Sequence, residues 1–228
     1  MASGRVHVTE HDMKVGILGT GIVGQTIANR LVQLTHDVML GSRSASNAGA
    51  SAWAASHRAH ATHGTFAEAA AFGDIVFNCT AGAHSVHALY LADAATTMRG
   101  KVLVDVSNPL DFSQGMPPTL TVCNTDSVGE TLQRTFPDVR VVKTLNTVNC
   151  EVMVRPSKVT GPHTMFVCGN DPAAKSRVID ILKSWFQWGD ILDLGDITAA
   201  RGMEMLVIPW VRIMQTMGHV NFNWHVQR

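Results

Sequence analysis

Residues 14–24 read Lys-Val-Gly-Ile-Leu-Gly-Thr-Gly-Ile-Val-Gly: an apolar run, then glycines in the spacing Gly-x-Gly-x-x-Gly. A strand that turns at once into a helix needs each of these glycines for a different reason. Gly19 takes the tight turn, Gly21 lets a bulky anion approach the main chain, and Gly24 lets the helix press against the strand. The free N–H groups that open the helix then face a pyrophosphate, with Thr20, Ile22 and Val23 completing the turn around it. The segment predicts a doubly wound α/β (Rossmann) domain that binds a dinucleotide, because the strand before and the helix after are both present.

The end of the second predicted strand decides which dinucleotide. A chain that reads NAD places Asp or Glu there to accept from the ribose 2′-OH. Here the residues are Leu40-Gly41-Ser42-Arg43, with no carboxylate. A carboxylate would repel a 2′-phosphate, whereas a guanidinium forks onto it and a hydroxyl donates to it. Ser42 and Arg43, with Thr20 as a further donor, predict NADP(H).

Strand-like and helix-like segments alternate along the rest of the chain, as a mostly parallel sheet with helices on both faces requires. Strands are predicted at 14–18, 37–40, 61–63, 74–80, 102–106, 139–145, 164–168 and 190–194. Helices fall between them at 22–34, 46–57 with Ser44 or Ser46 as N-cap, 65–72, 85–95, 127–134, 150–154 and 172–185. The stretch from Ala199 to Asn221 reads as one long helix kinked at Pro209. This divides the chain into a flexible tail over 1–12, a dinucleotide-binding domain over 13–195, and a helical segment over 196–228 that packs on the domain and on a partner copy.

Eighteen basic and eighteen acidic residues cancel and are scattered, so neither nucleic acid nor a membrane surface is expected as a partner. Cys79, Cys123, Cys150 and Cys168 are far apart and read as reduced thiols. Met1 to Asp12 lacks the apolar core of a secretory signal, and Met205 to Met217 is interrupted by Pro209 and Arg212 and too short to span a bilayer. A cytoplasmic protein is predicted. His57, His60 and His63 have no Cys or carboxylate beside them, so no metal site is expected. Met203, Met205, Trp210, Met214 and Met217 read as core or dimer interface.

Gly19-Thr-Gly-Ile-Val-Gly24, Gly41-Ser-Arg43, Ser107-Asn-Pro-Leu110, Lys143-Thr-Leu-Asn-Thr-Val148 and Ala200-Arg-Gly-Met-Glu204 run along nearly all of residues 14–218. In order and spacing they resemble the F420-dependent NADP oxidoreductases, a family that also includes the dinucleotide domain of the STEAP metalloreductases. The resemblance implies a Rossmann domain with a small C-terminal helical part, dimeric, with the nicotinamide over the carboxyl ends of the central strands. It implies that Thr80, Ala81 and His84 line the cofactor and that Asn146, Val148 and Cys150 lie near the nicotinamide. The acceptor pocket would fall between Ser107, Asn108, Pro109, Leu110 and the start of the last helix, around Thr198, Arg201 and Glu204. Two positions depart from the archaeal F420 enzymes. Those carry Ile-Pro-Trp after the strand that here ends in Cys79-Thr-Ala-Gly82, and a lysine where this chain has Asn47 beside the cofactor phosphate.

The resemblance further implies direct hydride transfer between the nicotinamide and coenzyme F420, a flavin or another planar small-molecule acceptor. The protein would stack the two rings and exclude water. Tyr90 is the only tyrosine and position 94 is Ala, so the Tyr-xxx-Lys pair of short-chain dehydrogenases is absent. Lys143 and His84 are the candidate proton donors. Two other readings compete: a reductase of a small imine or hydroxy acid, for which the residues after Asp196 are few, and a non-catalytic NADPH sensor.

Overall fold

Strand residues such as Val15, Ile17, Val76 and Leu103 have no exposed surface, which a sheet achieves only when helices cover both of its faces. The computed structural model describes residues 13–57 and 59–228, and the tail expected over 1–12 lies outside the described residues. β1 (Lys14–Leu18) turns into α1 (Ile22–Gln33), followed by β2 (Asp37–Ser42), α2 (Ala48–Ser56) and β3 (Ala61–Thr65). A capping box between Thr65 and Glu68 opens α3 (Phe66–Phe72), which leads to β4 (Ile75–Asn78). Next come α4 (Gly82–Leu91), α5 (Ala94–Thr97), β5 (Val102–Asp105) and a small hairpin of β6 (Leu110–Asp111) and β7 (Thr119–Leu120). The chain continues through α6 (Val128–Thr135), β8 (Arg140–Thr144), α7 (Cys150–Val154), β9 (Thr164–Gly169), α8 (Pro172–Ser184) and β10 (Asp190–Asp193).

Among the described residues the main sheet runs in the order β10-β9-β8-β5-β4-β1-β2-β3. From β1 the chain builds outward to β3, then crosses to β4 on the other side. The crevice at that reversal, outside the carboxyl ends of β1 and β4, is where a doubly wound sheet takes its ligand. One face is covered by Ile27 and Leu31 of α1, Trp53 of α2, and Val178 and Ile181 of α8. Ala69 of α3, Leu89 of α4 and Leu132 of α6 cover the other. Burying such a Leu or Ile contributes roughly 1.5–3 kcal/mol.

The sheet is mostly parallel, as expected, but β9 pairs antiparallel with β8, and β10 runs parallel to β9. The connection, through α7 and a 3-10 turn at Pro156–Lys158, returns to the edge where β8 ended, so β9 starts there and runs back along β8.

The single helix expected from Ala199 to Asn221 is corrected by the structure. A 3-10 turn at Ile197–Ala199 leads into α9 (Ala200–Met205), and the helix restarts as α10 (Val207–Met217). Pro209 has no N–H to donate back to Met205, and it sits in the first turn of α10. Gly218, in the left-handed region at φ +69°, ends α10. The following residues run back to the sheet edge, where Thr164 N–H donates to the Trp224 carbonyl at 2.8 Å and Arg228 pairs with Asp190 at 2.6 Å.

A Cβ on Gly24 would lie 2.1 Å from the Gly19 carbonyl oxygen, whereas one on Gly202 of α9 would meet nothing within 4 Å. Gly24→Ala is expected to destabilise the chain by about 1–3 kcal/mol through overpacking of α1 on β1. Gly202→Ala is expected to be neutral or stabilising, and thermal melting of both variants checks the contrast.

Candidate active site

Gly19 has φ +122°, open in practice only to glycine, and its N–H donates to the Gly41 carbonyl at 3.1 Å. α1 packs hard on this turn at Gly24, while a Cβ on Gly21 would meet nothing within 4 Å. Gly21 is the N-cap, so no side chain satisfies the first N–H groups of α1, and no acidic residue stands in the first turn. Gln25 braces the turn by donating from Nε2 to the Thr20 carbonyl at 2.8 Å. Open N–H groups, the positive end of a helix and clear space over Gly21 fit a pyrophosphate. Ile22 is exposed and Val23 half-buried beside it.

At the end of β2, Arg43 is exposed and Ser42 is buried. The Ser42 hydroxyl donates to the Ser44 carbonyl at 2.5 Å, so it braces the loop. The exposed hydroxyls of Ser44 and Ser46, in the loop that follows Arg43, lie 2.8 Å apart. Neither caps α2, contrary to expectation. Asn47 is the N-cap, its Oδ1 accepting from Ala50 N–H at 2.9 Å.

Three neighbouring strands end in polar residues at one level. Asn78, Asp105 and Lys143 are paired in register across β4, β5 and β8, and all are 0% exposed. Asp105 Oδ1 accepts from Asn78 Nδ2 at 2.8 Å, from the Ser107 hydroxyl at 2.8 Å and from Ser107 N–H at 3.2 Å. Lys143 Nζ donates to Asp105 Oδ2 at 2.7 Å and to the Ser107 carbonyl at 2.5 Å, and pairs with Glu204 Oε1 at 2.8 Å. Glu204 in turn accepts from Val128 and Gly129 N–H, at 2.9 and 3.1 Å, at the start of α6. Burial pulls the Lys143 pKa down, but the two carboxylates outweigh it and hold it above the ordinary lysine value. The ammonium therefore stays charged.

The loops above this row are pinned to one another. The Thr80 hydroxyl donates to Asn78 Oδ1 at 2.7 Å, and Gly82 N–H donates to the Asn108 carbonyl at 3.0 Å. Asn108 Nδ2 donates to the Asn146 carbonyl at 2.7 Å, and Asn146 Nδ2 donates back to Asn108 Oδ1 at 2.9 Å. Leu145, fully buried with φ +63°, is a bulky residue in the left-handed region that redirects the chain into Asn146. Asn146 Oδ1 and Thr147 Oγ1 are buried and have no hydrogen-bond partner among the described residues. Val148 and Cys150 are buried after them, Pro109 is buried, Thr80 and Leu110 are half-buried, and Ala81 and His84 are exposed at the start of α4.

The carboxyl edge thus brings together the glycine turn, Thr80, Ala81, His84, Ser107–Leu110, Asn146, Val148 and Cys150. It does not bring Thr198, Arg201 and Glu204 to an open acceptor pocket, which corrects that expectation. α9 starts at the opposite edge, where Ile197 N–H donates to Asn170 just beyond the end of β9. Thr198 there bonds to Asp196. Arg201 forks onto Glu130 of α6 at 2.8 and 2.5 Å, and Glu204 is 1% exposed beneath Lys143. Lys143, with three acceptors and no exposed surface, is corrected from candidate proton donor to structural cation. An open cavity of about 890 Å³ lies at this far edge, lined by Arg99, Arg134, Arg140 and Asp171, apart from the glycine turn.

Sequence reasoning missed Asn78, Asp105, Thr147 and Gln25. For the first two a signal existed: each is a polar residue closing an otherwise apolar strand, in Ile-Val-Phe-Asn and Val-Leu-Val-Asp.

Comparison with known proteins places the chain among NADP-dependent oxidoreductases. The sequence profile of the family described as NADP oxidoreductase, coenzyme F420-dependent, matches residues 14–109. The solved structure of a candidate F420-dependent NADP-reductase from Arthrobacter sp. FB24 is 48% identical, with a TM-score of 0.89, covering 95% of this chain and 100% of that one. Human metalloreductase STEAP2 is 28% identical over 193 residues, 84% of this chain but 35% of that protein, so the chain spans about a third of such relatives. An imine reductase from Aspergillus terreus, solved with NADPH4, is 16% identical with a TM-score of 0.62, covering 91% of this chain and 63% of that one, and shares the fold.

The hydrogen bonds from Arg201 hold the buried Glu130 carboxyl below the ordinary glutamate value. A depressed carboxyl pKa stabilises the fold above the unfolded value of about 4.3 and loses that contribution as pH falls through the folded value. Arg201→Met is therefore expected to melt below the wild type at neutral pH, with the gap closing on acidification. Its NADPH affinity is expected to stay unchanged, which melting curves and a binding titration check together.

Proposed function

We infer that this chain, which belongs to the coenzyme F420-dependent NADP oxidoreductase family and is an NADP-dependent oxidoreductase, moves a hydride between NADP(H) and a planar ring acceptor, coenzyme F420 or a flavin. One observation carries the reading: the uncapped N-terminus of α1 at the sheet's switch point, with clear space over Gly21 and Arg43 exposed at the next strand end. The pyrophosphate would rest on the first N–H groups of α1, and the 2′-phosphate would meet Arg43 with the Ser44 and Ser46 hydroxyls.

When bound, NADPH supplies the hydride. The chain's own part is to orient the ring and keep water out. Thr80, Ala81 and His84 would flank the nicotinamide on one side and Asn146–Cys150 on the other. The unpartnered Asn146 Oδ1 and Thr147 Oγ1 offer an acceptor and a donor suited to its carboxamide. With Lys143 enclosed, His84 is the exposed candidate for proton transfer. The acceptor would lie over Ser107–Leu110, next to the β6–β7 hairpin, whose exposed Phe112 and Met116 suit a flat apolar face. Met205 and Met217, exposed on α9 and α10, support a homodimer paired through these helices. Sedimentation equilibrium at twice the chain mass is the expected result, and a monomer would refute the pairing.

Mixing the protein with NADPH and, in turn, F420, FMN, FAD and a ferric chelate tests the reaction at the nicotinamide absorbance band. Oxidation with F420 or a flavin is expected. Turnover with the ferric chelate alone would replace the planar acceptor, and tight NADPH binding without any turnover would overturn the enzyme reading in favour of a sensor. Arg43→Ala should weaken NADPH binding by about 1.5–3 kcal/mol, the range for charge-assisted hydrogen bonds, and leave NADH nearly untouched. Equal losses for both nucleotides would show that Arg43 does not read the phosphate.

A further inference from the structure

We propose that Asp105 is a positioning residue for the nicotinamide half of the dinucleotide, a proposal that rests on the NADP-dependent reading above. Its two oxygens accept from four donors on three neighbouring segments: Asn78 of β4, the N–H and hydroxyl of Ser107 after β5, and Lys143 of β8. Ser107 is held at its other end as well, because its carbonyl accepts from Lys143. The fixed Ser107 sets Asn108, whose carbonyl holds Gly82 and whose amide brackets Asn146. Asn78, fixed by Asp105, holds the Thr80 hydroxyl. A displacement of the Asp105 carboxylate therefore reaches all three loops that would surround the nicotinamide.

Stability alone does not account for this arrangement. Removing charges from water costs several kcal/mol per ion, and well-packed apolar residues in place of a buried ion pair are often as stable or more so. Hydrogen bonds of fixed direction give what apolar contacts do not, a defined orientation for each loop. The row is also confined to one half of the edge. None of the row's side-chain hydrogen bonds involves β1, α1, β2 or α2, the elements that carry the glycine turn and Arg43, although the backbone of β4 pairs with β1 and Cys79 N–H donates to the Leu18 carbonyl at 2.9 Å. The side chains that would hold the nucleotide's two halves thus form separate hydrogen-bond networks.

That separation makes the proposal testable by binding alone. NADPH and the fragment adenosine 2′,5′-bisphosphate, which lacks the nicotinamide, are titrated against wild type, Asp105→Asn and Glu204→Gln, with melting curves for each. Asp105→Asn turns an amide N–H₂ toward the Lys143 ammonium, and Glu204→Gln weakens the far end of the row while keeping an oxygen for one of the two α6 N–H groups. Both folded variants are expected to lose roughly tenfold in NADPH affinity, equivalent to about 1.4 kcal/mol, while their fragment affinity stays unchanged. If only Glu204→Gln folds, the same split in that variant supports the proposal. Parallel losses of both ligands, or no loss of either, would overturn it. So would the failure of both variants to fold, since the row would then be an element of stability. A wild type that binds neither ligand would instead refute the NADP reading itself.

Discussion

A lysine with no exposed surface, held between two carboxylates, fixes the level at which the central strands end and the loops begin. Lys143 joins β8 to β5 through Asp105, to the loop after β5 through Ser107, and to α9 through Glu204. Two negative charges against one positive would leave the cluster unbalanced, but the Glu204 carboxylate rests on the first N–H groups of α6. The positive end of that helix offsets the excess. The C-terminal helices are thereby tied to the loops at the carboxyl edge, although they begin at the opposite edge of the sheet.

Much of the fold was legible because its signals are local. The demands on Gly19 and Gly24 come from the turn itself, so a short stretch of sequence states them, and the geometry of both matches. Apolar periodicity likewise located most strands and helices, including α7 and α8, but the helix expected over 85–95 is split at Asp93, which has φ +49°, and the β6–β7 hairpin was not anticipated. Features that depend on distant partners were not legible. Ser44 and Ser46 looked like caps for α2, but they bond to each other and leave the cap to Asn47. The reversal of β9 follows from a connection that returns to the edge where β8 ended, and the break at Leu206 from where Pro209 falls within its turn.

The candidate site divides along the same line. The residues of the glycine turn and of the β4, β5 and β8 loops share one edge. The family resemblance implied that Arg201 and Glu204 face the acceptor, and Lys143 stood as a candidate proton donor. Each is instead satisfied by a partner remote in sequence: Asp105 is 38 positions from Lys143, and Glu130 is 71 from Arg201. No motif reveals such a pairing. The informative trace was the reverse one, a lone polar residue at the end of an apolar strand, as at Asn78 and Asp105.

The central claim is that an NADP-type dinucleotide lies across the carboxyl edge, anchored at α1 and read at Arg43. A crystal structure of the chain grown with NADP⁺ tests it most directly. The pyrophosphate is expected over Gly21, the 2′-phosphate on the Arg43 guanidinium, and the nicotinamide between Thr80 and Asn146. A dinucleotide lodged in the cavity beside Arg99 and Arg140, or a 2′-phosphate turned away from Arg43, would contradict it.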